Sequence, residues 1–270
     1  MTYKVIAFDL DGTLLNSQGQ ILASSKQAIA EAIKQGLKIV FVTGRHHTAA
    51  KPYHYELNLD TPIICCNGTY LYDVQNDTTP LANPLSAEQA YKIIEVAEKY
   101  GLHLLMYSRD HMNYSSLNAH MQKFAQWVQS CPEHVRPQIR EVHNFHELLK
   151  GQETIWKFVI SHPDKDTMNQ AVSELSPEEF SCEWSWIDRV DISNNGNTKG
   201  KRLLELLNQW GVSPEDVIAF GDNHNDISML KAVGLGVAMG NAEEEAKKTA
   251  KIITLSNNED GIANVLTTYL

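Results

Sequence analysis

Two segments, one near each end of the chain, repeat a short apolar run followed by a stretch of helical period. That rhythm dictates a parallel sheet with helices on both faces. In the first segment Lys4 to Phe8, Lys38 to Val42 and Pro62 to Cys66 have strand length. A helix is expected after the first, capped by Ser24 or Ser25, with Ala28, Ile29, Ala32 and Ile33 as its apolar face and Gly36 as its stop. Asn67-Gly68 marks a hairpin turn before Thr69 to Tyr72. In the last segment Val217 to Phe220, Leu235 to Ala238 and Ile252 to Leu255 alternate with helices over Lys199 to Trp210, Ile227 to Ala232 and Ala242 to Lys248. Strands buried on both faces read as such unbroken apolar runs.

Between these segments the rhythm breaks. Ser86-Ala87-Glu88-Gln89 is a capping box opening a helix that stops at Gly101. Strand-like pieces follow at Leu102 to Tyr107, Ile155 to Ile160 and Cys182 to Ile187, with Pro132 and Pro137 interrupting. The expected organisation is a doubly wound α/β core, residues 1–83 and 190–270, with an inserted α+β domain over 84–189.

The formal net charge of -10 argues against nucleic acid and anionic lipid as partners. No stretch approaches the roughly 20 apolar residues that span a bilayer. The first residues lack a basic, then apolar, leader pattern, and Cys65, Cys66, Cys131 and Cys182 form no C-x-x-C pair. The expectation is a cytoplasmic protein with reduced thiols.

Four polar motifs sit at strand ends or at the helix start beside one, where parallel sheets bind ligands. Asp9-Leu10-Asp11-Gly12-Thr13 follows the opening strand. Two carboxylates that close raise one proton affinity, which suits a nucleophile beside an acid. An Asp-Gly turn with a solvated neighbour is the bland reading. Val42-Thr43-Gly44-Arg45 offers a hydroxyl and a glycine amide for a phosphoryl oxygen, or is ordinary turn chemistry. Lys199 in Thr198-Lys199-Gly200 begins a helix, where a cation opposes the dipole and calls for an anion nearby. Gly221-Asp222-Asn223-His224-Asn225-Asp226 carries the oxygen ligands that suit Mg²⁺. Each motif alone is moderate; their convergence on one sheet edge is strong.

These residues resemble the haloacid dehalogenase superfamily, in particular the Cof-type phosphatases with an inserted α+β (type IIB) cap after the second motif. The likeness covers essentially the whole chain. Within that group it is closest to members acting on pyridoxal 5′-phosphate, through the runs Val42 to His47, Ile64 to Asp73, Cys182 to Trp186 and Gly196 to Leu203. The resemblance implies a Rossmann-like core and a Mg²⁺-dependent hydrolase of a small phosphate ester. Asp9 would be nucleophile and metal ligand, and Asp11 general acid and base with its carbonyl on the metal. Asp222 would be the third protein ligand. The Leu10 amide, Thr43, Gly44, Lys199 and Asn225 would hold the phosphoryl group, and Asp226 would orient Lys199 or the metal's waters. The inserted domain would act as a lid that selects the leaving group.

Trp184 and Trp186 alternate with Asp188, which would give an aromatic face able to stack on a pyridine ring or to pack within the cap sheet. His46 and His47, beside the phosphate loop, could touch substrate or serve the helix start. Tyr107 and Arg109 are weaker candidates in the inserted domain. A sugar-phosphate or broad-specificity phosphatase stays open, as does a non-catalytic phospholigand-binding protein. A glycosyltransferase is disfavoured because Asp-x-Asp sits on the first strand followed by Gly-Thr.

Overall fold

The computed structural model describes residues 3–270. The first stretch forms β1 (Val5–Phe8), α1 (Ala23–Lys34), β2 (Lys38–Phe41), α2 (His47–Glu56), β3 (Ile63–Cys65), β4 (Tyr70–Asp73) and β5 (Thr78–Ala82). The middle forms α3 (Ala87–Lys99), β6 (His103–Ser108), β7 (Met112–Tyr114), α4 (Ala119–Ser130), β8 (Ile139–Glu141), α5 (Phe145–Lys150), β9 (Ile155–Ser161), α6 (Lys165–Ser173), β10 (Phe180–Trp186) and β11 (Arg189–Asn194). The last stretch forms α7 (Lys199–Trp210), β12 (Val217–Gly221), α8 (Ile227–Ala232), β13 (Leu235–Ala238), α9 (Glu244–Thr249), β14 (Ile252–Ile253) and α10 (Gly261–Tyr269).

The first compact unit runs up to Leu81 and resumes over Thr198–Leu270. Its sheet has the order β14-β13-β12-β1-β2, and every pair is parallel. A parallel bridge from Val42 to Ile64 carries the sheet edge on to β3, which joins β4 and β5 in a small second sheet. β1 is buried throughout, as its continuous apolar run requires. On one face Val5, Ala7, Val40, Val217 and Ala219 pack with Leu203, Leu206 and Leu207 of α7. On the next layer of side chains Phe8 stacks on Phe220, ring centroids 4.9 Å apart. Burying each α7 leucine contributes about 1.5–3 kcal/mol. Gly211, in the left-handed conformation, ends α7 as expected.

The second unit spans Ala82–Asn197. Its sheet has the order β10-β11-β9-β6-β7-β8. α3 begins with the Ser86/Gln89 capping box in place. Ile93, Ile94, Leu104, Phe158, Ile160, Val190 and Ile192 form its main core. The upstream change of unit lies within two residues of the sequence expectation. The downstream one lies at 197/198 rather than 189/190. β11 is the cause: it pairs with both β9 and β10, so Arg189–Asn194 belongs to this sheet. Also within this unit, Lys157 and Asp191 form a buried ion pair. Asp191 further accepts from Ser185 Oγ at 2.9 Å, and the Lys157 ammonium lies 4.8 Å from the Tyr107 ring centroid.

Two local expectations shift. α1 starts at Ala23 with Leu22 as its cap residue, so Ser24 and Ser25 lie inside it. The Leu15–Ile21 bridge fixes where the chain turns, and Ile33 is exposed. β14 is shorter than Ile252 to Leu255, although Thr254 and Leu255 still bond Ala238 and Gly240. Among the described residues no helix is long and apolar enough to cross a membrane, and all four cysteines are free thiols.

Candidate active site

β1 ends at Phe8, and the Asp9 amide still bonds the carbonyl of Phe220 on β12. The chain then turns tightly: Leu10 is buried and its carbonyl accepts from the Thr13 and Leu15 amides. Gly12, at φ +81, makes the turn possible. A Cβ there would stand 2.3 Å from Asp222 Oδ2. Asn241 Nδ2 donates to the Gly12 carbonyl and Asn257 Nδ2 to that of Leu15, fixing the loop from outside. Thr13 Oγ1 donates to Asp222 Oδ1 at 2.7 Å, which ties the first motif to the fourth.

Thr198 caps α7, its side chain accepting from the Lys201 amide. Lys199 therefore opens the helix, and its fully buried ammonium bonds Asp9 Oδ1 at 2.6 Å and Asp226 Oδ1 at 2.7 Å. The other oxygen of Asp226 accepts from the Asp222 and Asn223 amides at 2.9 and 3.0 Å. Asp226 thus has both oxygens committed, one to the lysine and one to the backbone that presents Asp222. Asn225 Nδ2 donates to Asn67 Oδ1 at 3.0 Å. Thr43 is buried, its amide bonds Ile64, and its Oγ1 accepts from the Arg45 amide at 3.1 Å. A Cβ on Gly44 would meet Asn67 Oδ1 at 2.9 Å.

Carboxylate oxygens of Asp9, Asp222 and Asp226 lie within 4.8 Å of one another. Burial pushes the Asp9 carboxyl well above its usual range, Lys199 opposes this, and Asp226 and Asp222 add to it. Burial, then Asp226, pushes Asp222 up to about 7. Burial disfavours the Lys199 charge, but Asp226 and Asp9 outweigh it and its proton is held more tightly than usual. With all three carboxylates ionised, one ammonium would leave two negative charges in a desolvated place, the charge of one divalent cation. All-oxygen donors suit Mg²⁺. With Asp226 committed, the donors remaining for it are Asp9 and Asp222.

Asp11 points elsewhere. Its carboxylate is 62% exposed and forms a two-point ion pair with Arg45, Oδ1 to Nη2 at 2.6 Å and Oδ2 to Nε at 2.7 Å. Burial works against the Arg45 charge, and Asp11 more than restores it. Arg45 also lies over the Tyr53 ring, 5.1 Å from its centroid.

The two histidines turn inward. His46 caps α2 through Nδ1, which accepts from the Thr48 amide, and is fully buried. His47 is buried too, with Nδ1 2.9 Å from the Tyr70 hydroxyl and its ring stacked 4.0 Å from Tyr72. Of the two sequence readings, the helix-start role describes His46; neither ring is at the surface. Trp184 and Trp186 lie on β10 of the second unit, 39% and 61% exposed. A bulge between them breaks their regular alternation, and Asp188 falls beyond the strand. Tyr107 carries Lys157 over its ring, and the Arg109 carbonyl accepts from Trp156 Nε1.

Sequence reasoning missed two groups at this site. Arg45 stood inside a quoted motif with no role given to it. Asn67 read as half of a turn, and only the fold brings it to Asn225.

Comparison with known proteins gives a consistent result. Residues 6–266 match the family described as haloacid dehalogenase-like hydrolase. The pyridoxal phosphate phosphatase YbhA of Escherichia coli is 43% identical over 271 residues, covering 100% of both chains. The 5-amino-6-(5-phospho-D-ribitylamino)uracil phosphatase YcsE of Bacillus subtilis is 31% identical, covering 97% of this chain and 94% of that one. A crystal structure of a haloacid dehalogenase-like hydrolase from Bacteroides thetaiotaomicron superposes with a TM-score of 0.87 at 31% identity, covering 100% of each chain.

Proposed function

The chain belongs to the haloacid dehalogenase-like hydrolase family and is a phosphatase, and from that premise we propose that it hydrolyses pyridoxal 5′-phosphate through an aspartyl-phosphate on Asp9. The observation that carries the mechanism is the buried Lys199 ammonium bonded to both Asp9 and Asp226 beside Asp222. The full-length similarity to YbhA supports the substrate.

An ionised Asp9 must approach a dianionic ester. At 4 Å and an effective dielectric of about 20, the repulsion is about 4 kcal/mol per charge pair and about 8 kcal/mol for the dianion. Lys199 offsets part of this. Mg²⁺, held by Asp9, Asp222 and the Asp11 carbonyl, would supply the remaining positive charge on the phosphoryl oxygens. Thr43, Gly44, the Leu10 amide, Lys199 and Asn225 hold and orient the phosphoryl group. Asp9 forms the bond to phosphorus while the ester oxygen leaves and takes a proton from Asp11. Water then attacks phosphorus, Asp11 takes its proton, and Asp9 is released with inorganic phosphate. Asp11 must part from Arg45 to carry a proton, so that ion pair opens during each turnover. Asp226 positions Lys199 and the Asp222 backbone.

The test is a panel of phosphate esters with and without Mg²⁺: pyridoxal 5′-phosphate, hexose 6-phosphates and the ribitylaminouracil phosphate. A kcat/KM for pyridoxal 5′-phosphate at least 10-fold above the others, lost on chelation, is expected. A hexose phosphate in first place would transfer the protein to the sugar-phosphate phosphatases. Activity undiminished by chelation would remove the metal from the mechanism.

A further inference from the structure

The turn between β3 and β4 is more constrained than a hairpin requires. Cys66, Asn67 and Gly68 take φ of 50°, 56° and 90° in succession. A left-handed conformation costs a non-glycine residue roughly 1 kcal/mol, asparagine least. The turn is locked to several parts of the site. The Cys66 amide bonds the Arg45 carbonyl and the Asn67 amide the Thr43 carbonyl, both at 3.0 Å. A Cβ on Gly68 would stand 2.2 Å from the Thr198 carbonyl, at the cap of α7. Arg202 of α7, itself buried, donates through Nε to the Gly68 carbonyl at 2.9 Å.

The side chain of Asn67 is buried in the middle of this arrangement. Its Oδ1 fills the space where a Cβ on Gly44 would stand, 2.9 Å from that position, and accepts from Asn225 Nδ2 on the other side. Asn225 Oδ1 is buried with no hydrogen-bond partner among the described residues. The single bond to Asn67 therefore decides which way the Asn225 carboxamide faces. Rotating the amide by half a turn would set two carbonyl oxygens against each other. In the observed orientation Nδ2 spends one hydrogen on Asn67 and keeps a second for an anion.

We propose that Asn67 is a positioning residue: its side-chain oxygen orients the Asn225 carboxamide so that an N–H faces the phosphoryl group. The inference rests on the reading that Asn225 holds that group. It adds the residue that sets the handedness of the contact and joins it to the Thr43-Gly44 loop.

A double-mutant cycle tests it. Asn67→Gly keeps the left-handed turn and removes only the amide. It is expected to lower kcat/KM for pyridoxal 5′-phosphate, or for p-nitrophenyl phosphate, about 10-fold and to weaken inhibition by inorganic phosphate by a similar factor. In an Asn225→Ala background the same change is expected to cost less than about 2-fold, because its target is gone. Equal losses in both backgrounds would mean that Asn67 is only structural and would overturn the proposal. Full activity of Asn225→Ala would overturn it as well. Should Asn67→Gly fail to fold, Asn67→Asp retains the acceptor, and Asn225→Ala must then cost as much in it as in the natural chain. Asp9→Asn is the separate control: turnover surviving there defeats the reading of the whole site, whereas an inactive Asp9→Asn with an additive cycle defeats only the role of Asn67.

Discussion

Each unit buries a lysine against aspartate, and the two sites differ in their charge balance. In the second unit Lys157 bonds Asp191, which also accepts from Ser185, and its ammonium lies over the Tyr107 ring. In the first unit Lys199 meets Asp9 and Asp226, with Asp222 alongside. A buried lysine paired with one aspartate is charge-balanced as it stands. The unbalanced cluster is not, because burial without compensation is costly for every excess charge. Under the proposed mechanism a bound cation and an anionic substrate would supply the missing compensation. Net local charge distinguishes the structural ion pair from the proposed catalytic one better than burial does, since both lysines are buried.

The sharpest way to break this contrast is Asp9→Asn. It is expected to lower kcat by about 10⁴-fold or more, since a nucleophile is lost. The chelated variant should melt no lower than the natural chain, because a repelling carboxylate has gone; a clear loss of stability would make Asp9 structural. Lys199→Met comes next, with kcat/KM down about 10³-fold, as for loss of a cation aimed at transition-state charge. Retained activity would leave the core lysine no different from its counterpart. Lys157→Met strands Asp191 and is expected to destabilise the fold by about 3–5 kcal/mol in denaturant titration. Pairing it with Asp191→Leu should recover most of that, which no second substitution can do for catalysis at Lys199.

The smallest effect is in pH. Asp222 has its carboxyl pushed up to about 7 from an ordinary 3.8. Between those values the metal-free fold keeps a proton that the unfolded chain has lost. Stability of the chelated protein is therefore greatest at the acid end of the window and declines by a few degrees of melting temperature as pH rises toward 7. Calorimetry in EDTA from pH 5 to 7.5 measures it. A melting point that rises across this range would place Asp222 in a compensated site instead.

Much of this was legible in the sequence because a parallel sheet collects its ligands at one edge. Once β1 and β12 are recognised as strands of one parallel sheet, Asp9 and Asp222 fall on the same edge, and the pairing of β1 with β12 makes them neighbours. α7 was readable to the residue, since Thr198 and Gly211 punctuate an amphipathic run. The start of α1 was not, because the Leu15–Ile21 bridge fixes the chain before any serine could cap it. The end of the second unit was misplaced for a similar reason: β11 is assigned by the strands it pairs with. The ion pair of Asp11 with Arg45 and the bond of Asn67 to Asn225 join motifs distant along the chain, 34 and 158 residues apart. No local pattern encodes them.

The position of β1 has a consequence for how the protein is made. Asp9 meets Lys199 across 190 residues and Thr13 meets Asp222 across 209. At about 5–20 residues per second, the ribosome takes roughly ten to forty seconds to deliver the partners of the opening strand. Throughout that interval Val5–Phe8 has one neighbouring strand at most, while the intervening unit emerges whole and can fold first. The nascent chain thus carries an orphaned apolar edge until β12 emerges, and the contacts of Asp9 and Thr13 with Lys199 and Asp222 can form only then.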